Sequence, residues 1–184
     1  MDAHAKLIPS APAERSAFVG AMAAAVTGVN VVTTDGPGGR LGLTVSSMAS
    51  ISAEPPQLLV AINRCSPLVG AIRRNGSFGV SVLGAHQSAV ADTFAGRPRA
   101  GAPYGFGCAR WDDRGSPLLE SAAARFDCAV AATVEAGTHT LVIGLVRHAD
   151  RGAARPLAYT RRAYAQPVAL EPDPSAAPVR AAAG

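Results

Sequence analysis

The stretch Gly42-Leu-Thr-Val-Ser-Ser-Met-Ala-Ser-Ile-Ser-Ala-Glu-Pro-Pro56 decides the fold. Leu41, Leu43 and Val45 alternate with small or polar residues, which is the period-two pattern of a strand with one buried face. After Val45 the alternation stops and hydroxyls accumulate; the five in the stretch are Thr44, Ser46, Ser47, Ser50 and Ser52. Hydroxyls and free backbone N–H groups at a strand end suit an anion such as phosphate. From the residues alone, a plain surface turn is the other interpretation.

Strands are predicted on both sides of this stretch. The β-branched run from Val29 to Thr34 predicts a strand that forms a hairpin with the one beginning at Arg40, through a Gly-rich turn. Pro55 and Pro56 offer no N–H group, so they interrupt strand pairing. The continuous apolar run over 58–62 then predicts a buried strand.

The rest of the chain adds helices, further strands and one long loop. In the first predicted helix Phe18, Met22 and Val26 share one face, which predicts packing against a sheet. The predicted helices cover 14–26, 67–74 and 87–94, with Gly76 just past the second. The other predicted strands cover 78–83, 122–135, 140–146 and 156–159, with a long loop over 95–107 and a turn at 137–139.

The order of these elements favours an antiparallel barrel over a dinucleotide-binding Rossmann fold. Hairpin connections dominate, and neither β-α-β alternation nor a Gly-x-Gly-x-x-Gly motif is present. Gly36-Pro-Gly-Gly lacks the Gly-Lys-Ser/Thr ending of a P-loop, so it predicts a hairpin turn. We expect a mainly β protein with six or seven strands and two to four peripheral helices.

Composition indicates one globular domain. The chain has 184 residues, of which 48% are hydrophobic, enough for a real core. Much of that fraction is alanine and only 5% of residues are aromatic, so further burial at a subunit interface is expected. We expect a flexible arm over 1–13, the domain over 14–164 and a disordered Pro/Ala-rich tail over 165–184.

Charge and composition also argue against several classes of protein. The net charge is +4 and Lys6 is the only lysine, so no nucleic-acid surface is expected. No apolar run approaches the roughly 20 residues of a membrane span, and no signal peptide precedes the domain, so we expect a soluble, cytoplasmic protein. Cys65, Cys108 and Cys128 show no zinc-binding spacing, which predicts reduced thiols and no metal site.

Six blocks of sequence resemble, in the same order, the flavin reductase family, whose members supply reduced flavin to two-component monooxygenases. The resemblance covers roughly 18–164. It implies an FMN-binding split β-barrel, antiparallel and Greek-key-like, in a homodimer with flavin near the subunit interface. The blocks are Ala25-Val-Thr-Gly-Val-Asn-Val-Val-Thr-Thr, Gly42-Leu-Thr-Val-Ser-Ser-Met-Ala-Ser-Ile-Ser, Pro55-Pro56 with Leu58-Leu-Val-Ala-Ile-Asn-Arg, Phe78-Gly-Val-Ser-Val-Leu, Phe94-Ala-Gly and Gly137-Thr-His-Thr.

The resemblance implies a set of flavin-binding residues. The strand residues Val29, Asn30 and Val31 would lie along the flavin. The hydroxyl stretch would contact the ring, the ribityl chain and the phosphate, through Thr44, Val45, Ser46, Ser47, Ser50, Ile51 and Ser52. Asn63, Arg64 and Ser66 would form the phosphate loop, with Arg64 as a charge-assisted partner. Phe94, Ala95 and Gly96 would close over the flavin; for Phe94 a simple core aromatic is the alternative.

His139 is the implied catalytic residue. The resemblance places it beside the nicotinamide, where it would orient the ring and stabilise charge, although Thr138 replaces the acidic neighbour usual in the family. A turn histidine facing solvent is the alternative, and His4, His86 and His148 are expected to be solvated. No catalytic triad is expected, because the cofactor carries the hydride chemistry.

Three features near the predicted site have more than one interpretation. Arg161, Arg162 and Tyr164 would touch the nicotinamide dinucleotide or a neighbouring subunit, or form a plain surface charge pair. Tyr104 and Trp111 flank a Gly-rich loop and are interpreted as loop anchors rather than ring-stacking residues.

The function that follows is an NAD(P)H:flavin oxidoreductase. It would reduce FAD or FMN, as a diffusible substrate, with NADH or NADPH, and pass reduced flavin to a monooxygenase or halogenase. The sequence leaves open which flavin, which nicotinamide dinucleotide and which partner. The alternatives are a flavin carrier or sensor without reductase activity, and a small dimeric barrel that binds nothing.

Overall fold

The computed structural model describes residues 12–170, so most of the predicted arm and tail lies outside the described residues. The helices are α1 (Arg15–Ala24), α2 (Pro67–Asn75) and α3 (Ser88–Phe94). The strands are β1 (Thr27–Gly28), β2 (Asn30–Thr34), β3 (Leu41–Val45), β4 (Met48–Ala53), β5 (Pro56–Asn63), β6 (Ser77–Val82), β7 (Trp111–Asp112), β8 (Leu118–Leu119), β9 (Ala124–Ala136), β10 (His139–Arg151), β11 (Ala158–Thr160) and β12 (Ala163–Ala165).

Seven strands form the main sheet, in the order β3-β2-β6-β9-β10-β5-β4. The two edge strands, β3 and β4, are joined by only Ser46 and Ser47. Three Cα–Cα steps span at most about 11 Å, whereas the edges of a flat seven-stranded sheet would lie about 29 Å apart. The sheet must therefore roll until its edges meet at Ser46 and Ser47, a junction that we call the seam. The backbone N–H of Ala61 donates across the seam to the Ser47 carbonyl at 3.2 Å.

Every strand pair is antiparallel, including those of a small β1-β11-β12 sheet and the β7-β8 pair. The expected antiparallel barrel with peripheral helices is confirmed. Its strands outnumber the expected six or seven, because short pairs such as β7-β8 are too brief to give a period-two pattern.

The core has two parts, one on each side of β2. Inside the barrel, strand residues pack against Leu68 and Ile72 of α2. The fully buried ones include Val32, Val60, Phe78, Val80, Cys128 and Val142. On the outer side α3 covers a second cluster, whose fully buried members include Val31, Leu83, Phe94 and Leu119. The alternation of Val31 and Val32 between the two clusters follows from the period of two along a strand.

Two strand predictions need correction. The strand predicted over 29–34 begins at Asn30 instead, because Val29 separates β2 from the short β1 and pairs its backbone with Leu83 and Leu157. The predicted break at Pro56 is wrong, because Pro56 begins β5 and lies opposite Ala53 of β4.

The apolar face of α1 does not pack on the sheet as predicted. Phe18 is 60%, Met22 50% and Val26 68% exposed, and α1 has no buried residue. The helix is held instead through its backbone, since the carbonyl of Ala23 accepts from the N–H of Arg161 at 2.6 Å. No helix in the described part of the chain is both long and apolar enough to span a membrane.

Candidate functional site

The hydroxyl stretch lies at the seam of the barrel. Thr44 Oγ1 donates to the carbonyl of Ala91 in α3 at 2.8 Å, which fixes the end of β3 against that helix. Ser47 Oγ donates to the carbonyl of Ala61 at 2.6 Å and accepts from its N–H at 3.2 Å, which holds the seam on β5. These two hydroxyls therefore support the fold, and each keeps a lone pair that can accept from a ligand.

The remaining hydroxyls of the stretch differ in their freedom. Ser52 Oγ accepts from the N–H of Glu54 at 3.1 Å, within the turn before β5. Ser46 and Ser50 are exposed, and neither hydroxyl bonds to another residue of the 12–170 range. Ser46 and Ser50 are thus the two hydroxyls of the stretch that a ligand can use without competition.

A cavity of about 220 Å³ opens beside Ser46, and we call it the Ser46 cavity. Five of the predicted site residues line it: Val29, Thr44, Val45, Ser46 and Ala95. The other lining residues are Arg97, Tyr159 and Tyr164. The two tyrosine rings meet edge to face, with centroids 5.6 Å apart, so the cavity combines an aromatic wall, a guanidinium and hydroxyls.

Asp92 of α3 holds the wall of the Ser46 cavity in place. Its carboxylate accepts from Tyr164 Oη at 2.7 Å and from Arg99 Nε at 2.7 Å. Burial and the hydrogen bond to Asp92 raise the pKa of Tyr164 to about 12. Burial also acts to raise the pKa of Asp92, but the hydrogen bonds from Tyr164 and Arg99 outweigh it, so that pKa lies below its usual value.

A second cavity, of about 460 Å³, lies between β3 and the start of α2, and we call it the Tyr104 cavity. Its walls are Leu41 to Leu43 of β3, the first turn of α2 and the ring of Tyr104. The predicted residues Asn63 and Ser66 line its polar rim, together with Cys65. The two cavities share β3 as a wall, so the predicted residues fall into two neighbouring groups.

The predicted phosphate loop leads into the start of α2 and is closed by hydrogen bonds of its own. Asn63 Oδ1 accepts from the N–H of Cys65 at 2.9 Å, and Ser66 Oγ caps α2 by accepting from the N–H of Leu68 at 3.3 Å. Arg64 is exposed between them. The dipole of α2 favours negative charge at this end, and the guanidinium of Arg64 adds to it. The N–H groups of Ser66, Leu68 and Val69 already bond within the loop, and Pro67 has none.

His139 lies beside the phosphate loop, as the first residue of β10 rather than in the predicted turn. It pairs in register with Asn63 of β5, and the N–H of Arg64 donates to the carbonyl of Thr138 at 3.1 Å. Thr138 Oγ1 lies 2.9 Å from Nδ1 of His139, so the hydroxyl is the hydrogen-bonding neighbour of the ring where the family has an acid. The imidazole is exposed and lines neither cavity within this single chain.

Glu135 braces the turn that carries His139. It accepts from Arg73 Nη2 at 2.6 Å and from Thr140 Oγ1 at 3.0 Å. Those hydrogen bonds, with the charges of Arg73 and Arg64, hold the pKa of Glu135 below its usual value. The carboxylate therefore stays ionised and ties α2 to the two longest strands.

Several predicted residues are buried and reach a ligand only in restricted ways. Val31 is fully buried in the outer core cluster, so only its backbone is available. Asn30 is 2% exposed; its amide nitrogen lies 3.4 Å from the Val45 carbonyl, while its Oδ1 has no partner in the part of the chain that the structure describes. A buried unpaired oxygen costs about 1–3 kcal/mol, so a donor from a ligand or water would stabilise it.

The Phe-Ala-Gly element divides between three environments. The ring of Phe94 is fully buried and packs edge to face on Phe106 and Trp111, as in the core-aromatic alternative. Ala95 lines the Ser46 cavity. Gly96 lies beneath Tyr104, where an added Cβ would come within 2.5 Å of the tyrosine hydroxyl.

Tyr104, Arg97 and Tyr159 are among the lining residues that were not predicted as site residues. Trp111 is the loop anchor expected, since its Nε1 donates to the Phe106 carbonyl at 2.8 Å, but Tyr104 is 49% exposed and faces a cavity. Arg97 and Tyr159 reach the Ser46 cavity. Arg97 could have been found from its place directly after Phe-Ala-Gly, whereas nothing in the sequence near Tyr159 signals a site.

The residues present fit a phosphorylated flavin. The capped start of α2 and Arg64 suit its phosphate, and the free hydroxyl of Ser46 and the unpaired Oδ1 of Asn30 suit polar atoms of a ring system. Of the two cavities that contain predicted residues, the Tyr104 cavity falls within the usual range of about 300–1,000 Å³ for small-molecule sites, and the Ser46 cavity is smaller. The roles of the individual residues toward a flavin stay predictions.

Comparisons with known proteins agree with this fit. A protein-family model described as "Flavin reductase like domain" matches residues 22–167. The chain is 42% identical over 147 residues to the FMN reductase (NADH) RutF of Variovorax paradoxus (strain S110), a match that covers 78% of this chain and 81% of that protein.

Two solved structures have the same fold. The flavin reductase PheA2 in its native state matches with a TM-score of 0.78 at 28% identity, over 85% of this chain and 100% of that one. BorF, the flavin reductase component of a bacterial two-component tryptophan halogenase, matches with a TM-score of 0.74 at 33% identity, over 83% of this chain and 98% of that one.

Proposed function

This chain belongs to the flavin reductase-like domain family, and on that premise we propose that it transfers hydride from NADH to free FMN or FAD. It is an NAD(P)H-dependent flavin reductase with the split-barrel fold of the family. NADH is proposed over NADPH because the curated relatives it resembles are named FMN reductase (NADH).

One observation carries the proposal most directly. The seam, the phosphate loop and the His139 turn converge on the C-terminal end of β5. Ser47 bonds to Ala61, and His139 lies opposite Asn63. The backbone of Arg64 bonds to Thr138. Three segments far apart in sequence thus meet at one end of the barrel, as a site for two flat, phosphorylated molecules requires.

The roles that we propose for the chain follow from this arrangement. The flavin, when bound, supplies the hydride-accepting ring. The start of α2, with Ser66 and Arg64, holds its phosphate, and Ser46, Ser50 and the seam backbone hold and orient the ring. His139 positions the nicotinamide, with Thr138 fixing the imidazole. The barrel therefore acts by placing two ring systems in contact rather than by proton transfer.

The experiment that tests the activity is steady-state oxidation of NADH and of NADPH, with FMN, FAD or riboflavin as acceptor. We expect saturable turnover with NADH and a phosphorylated flavin. The loss of reduced-nicotinamide absorbance measures this turnover. Absence of turnover with every pair of substrates would overturn the proposal.

A flavin carrier without reductase activity is the second candidate, and the replacement of the acidic neighbour of His139 by Thr138 is the observation that favours it. The two candidates differ in a simple measurement. A carrier would retain flavin through purification and show no turnover, whereas a reductase that uses flavin as a substrate would release it.

We further propose that the chain is a homodimer. Large apolar side chains are exposed on α1 and on the sheet: Phe18, Val19, Met22, Ile51, Val134 and Leu145. Exposed apolar patches of this kind mark interaction surfaces, and a second copy would cover them. The mass in solution, measured by light scattering, tests the proposal, and a monomer at micromolar concentration would contradict it.

The reduced flavin has a proposed destination as well. BorF is the reductase component of a two-component halogenase, which supports a separate monooxygenase or halogenase as the consumer here. Product formation by a flavin-dependent oxygenase that depends on this chain and NADH would support it, and a lack of such coupling with any oxygenase from the same source would contradict it. The domain bounds of 14–164 and a cytoplasmic location stay predictions.

A further inference from the structure

The Tyr104 cavity continues beyond the phosphate loop. Its polar rim is formed by Asn63 and Ser66, which also build the start of α2. Its interior is apolar, with Leu41 and Leu43 of β3 facing Leu68 of α2. The phosphate is the last group of flavin mononucleotide. If this phosphate lies at the rim, the cavity of about 460 Å³ stays unfilled.

Tyr104 is held where it can contact a second ring. Its backbone N–H donates to the carbonyl of Thr93 at 3.0 Å, and its side chain passes over Gly96, which has no Cβ to obstruct it. The residue has φ of 58°, a conformation that bulky side chains rarely adopt and that costs about 1–3 kcal/mol. The ring nevertheless remains 49% exposed, so it gains little from burial within this chain.

The lining of the cavity suits an adenosine group. Adenine is flat and stacks on aromatic side chains with about 1–3 kcal/mol per base, and apolar side chains on the other walls accept its faces and edges. The rim supplies positive charge to an adjoining phosphate, from the exposed Arg64 and from the dipole of α2. Phosphate and adenosine therefore follow one another along the cavity in the order found in a dinucleotide.

We propose that the Tyr104 cavity binds the adenosine half of a dinucleotide and that, as a result, this chain prefers FAD to FMN. The inference rests on the proposed function, because it takes the flavin phosphate to lie at the start of α2. Both FAD and NADH contain adenosine diphosphate. The adjoining phosphate loop assigns the cavity to FAD.

The test measures the affinity of the whole chain for FAD, FMN and riboflavin by flavin fluorescence, in the absence of nicotinamide dinucleotide. We expect FAD to bind about tenfold more tightly than FMN, and Tyr104→Ala to remove that difference while leaving the affinity for FMN unchanged. Tyr104→Phe keeps the ring and is expected to retain the preference. Equal affinity of the unmodified chain for the two flavins would overturn the inference, as would an equal loss of both in Tyr104→Ala.

A second measurement keeps the inference testable if Tyr104→Ala fails to fold. Adenosine, which carries no phosphate and so leaves the phosphate loop free, should compete with FAD, and not with FMN, for the unmodified chain. Turnover with riboflavin identifies the source of the adenosine, because riboflavin itself contains none. If Tyr104→Ala raises the KM for NADH and leaves FAD affinity unchanged, the cavity belongs to NADH and the FAD preference is overturned. Turnover without FAD preference would refute this inference alone, whereas no flavin binding at all would refute the proposed function with it.

Discussion

Thr138 is the hydrogen-bonding neighbour of His139 Nδ1, in the position where the family usually has an acidic residue. A threonine hydroxyl can orient an imidazole without adding a charge. Thr138 therefore keeps the geometry that a positioning role requires, but it does not supply the negative charge of an acidic neighbour.

Replacing His139 tests that role. His139→Ala should lower kcat/KM for NADH by roughly tenfold to a hundredfold, because a misplaced nicotinamide loses its alignment with the flavin ring. Flavin affinity should be unchanged. Stopped-flow reduction of bound flavin measures the hydride step directly, and His139→Asn is the control that retains a hydrogen-bonding group. Unaltered hydride transfer in His139→Ala would return the residue to the solvent-facing alternative.

The hydrogen bond between Tyr164 and Asp92 gives stability a dependence on pH. The folded chain holds the Tyr164 proton more tightly than the unfolded chain, with a pKa of about 12 against an ordinary 10.0. Its contribution is therefore complete below about pH 10 and is lost as the pH rises toward 12. Tyr164→Phe should lower the Tm by roughly 5 °C near neutral pH, and the deficit should shrink near pH 11. A deficit that is constant across this range would show that Asp92 does not hold the proton.

Residue-level prediction succeeded where the signal is local. Pro67 predicts the first turn of a helix, and α2 begins at Pro67, with Ser66 as its cap. The place of Tyr104 beside a cavity was not predicted, because it depends on the path of the loop over 95–105 across Gly96, which no local pattern records. The burial of Phe94 likewise depends on Phe106 and Trp111, which approach from outside its helix.

At the level of elements, α2 serves both the fold and the predicted phosphate loop. A substitution at Ser66 can distinguish these two roles. Aspartate caps helices as well as serine does and favours the helix dipole, so Ser66→Asp should leave the Tm unchanged or raise it. The new carboxylate would face the flavin phosphate and should weaken FMN binding by roughly tenfold or more.

Riboflavin, which has no phosphate, should bind Ser66→Asp as it binds the unmodified chain. Ser66→Asn is the uncharged control, since it also caps the helix and should retain FMN affinity. Fluorescence titration with both flavins makes the comparison. A parallel loss of riboflavin and FMN would mean that the loop is only a structural support.

Two glycines in neighbouring elements predict opposite effects on stability. A Cβ on Gly42 of β3 would lie 2.5 Å from Cε1 of the buried Phe94, so Gly42→Ala should lower the free energy of unfolding by roughly 1–3 kcal/mol. A Cβ on Gly70 of α2 would meet only the end of Arg74 at 3.4 Å, so Gly70→Ala should raise it by roughly 0.5–1 kcal/mol. Urea unfolding measures both, and a loss of stability in Gly70→Ala would contradict the steric argument.

The strand β4 shows why the sequence underdetermines elements at the site. Its serines and alanines have low strand propensity and no alternation, so the hydroxyl stretch did not predict a strand. Pairing with the strongly patterned β5 imposes the strand conformation on Met48–Ala53. The strands β3, β5 and β6, in contrast, were predicted from the apolar pattern of the sequence, and all three are present in the structure.

At the scale of the whole molecule, α1 makes the homodimer testable by mutation. Met22→Asp adds a charge to the apolar face of α1 and should weaken dimerisation by about a hundredfold or more, without unfolding the monomer, because α1 has no buried residue. Val168→Asp is the control, since Val168 is 84% exposed and lies outside the helix. Sedimentation equilibrium measures both variants, and a Met22→Asp dimer as stable as the control would exclude α1 from the interface.

The order of the strands was beyond the reach of the sequence. Periodicity identifies a strand and which of its faces is buried, but β6 lies between β2 and β9 because of contacts across the whole barrel. The antiparallel barrel class followed from hairpin connections, whereas the seam at Ser46 and Ser47 is visible only once that order is known. The site could therefore be predicted as a set of residues and not as two cavities.

The seam also governs when the site comes into existence during synthesis. A chain made only as far as β6 contains two separate pieces, β3-β2-β6 and β5-β4, since β9 and β10 lie between them in the sheet. Until β10 has left the ribosome, β5 lacks its inner neighbour, and the His139 turn that completes the site has not been made. A nascent chain without β10 therefore lacks the turn that we propose to position the nicotinamide.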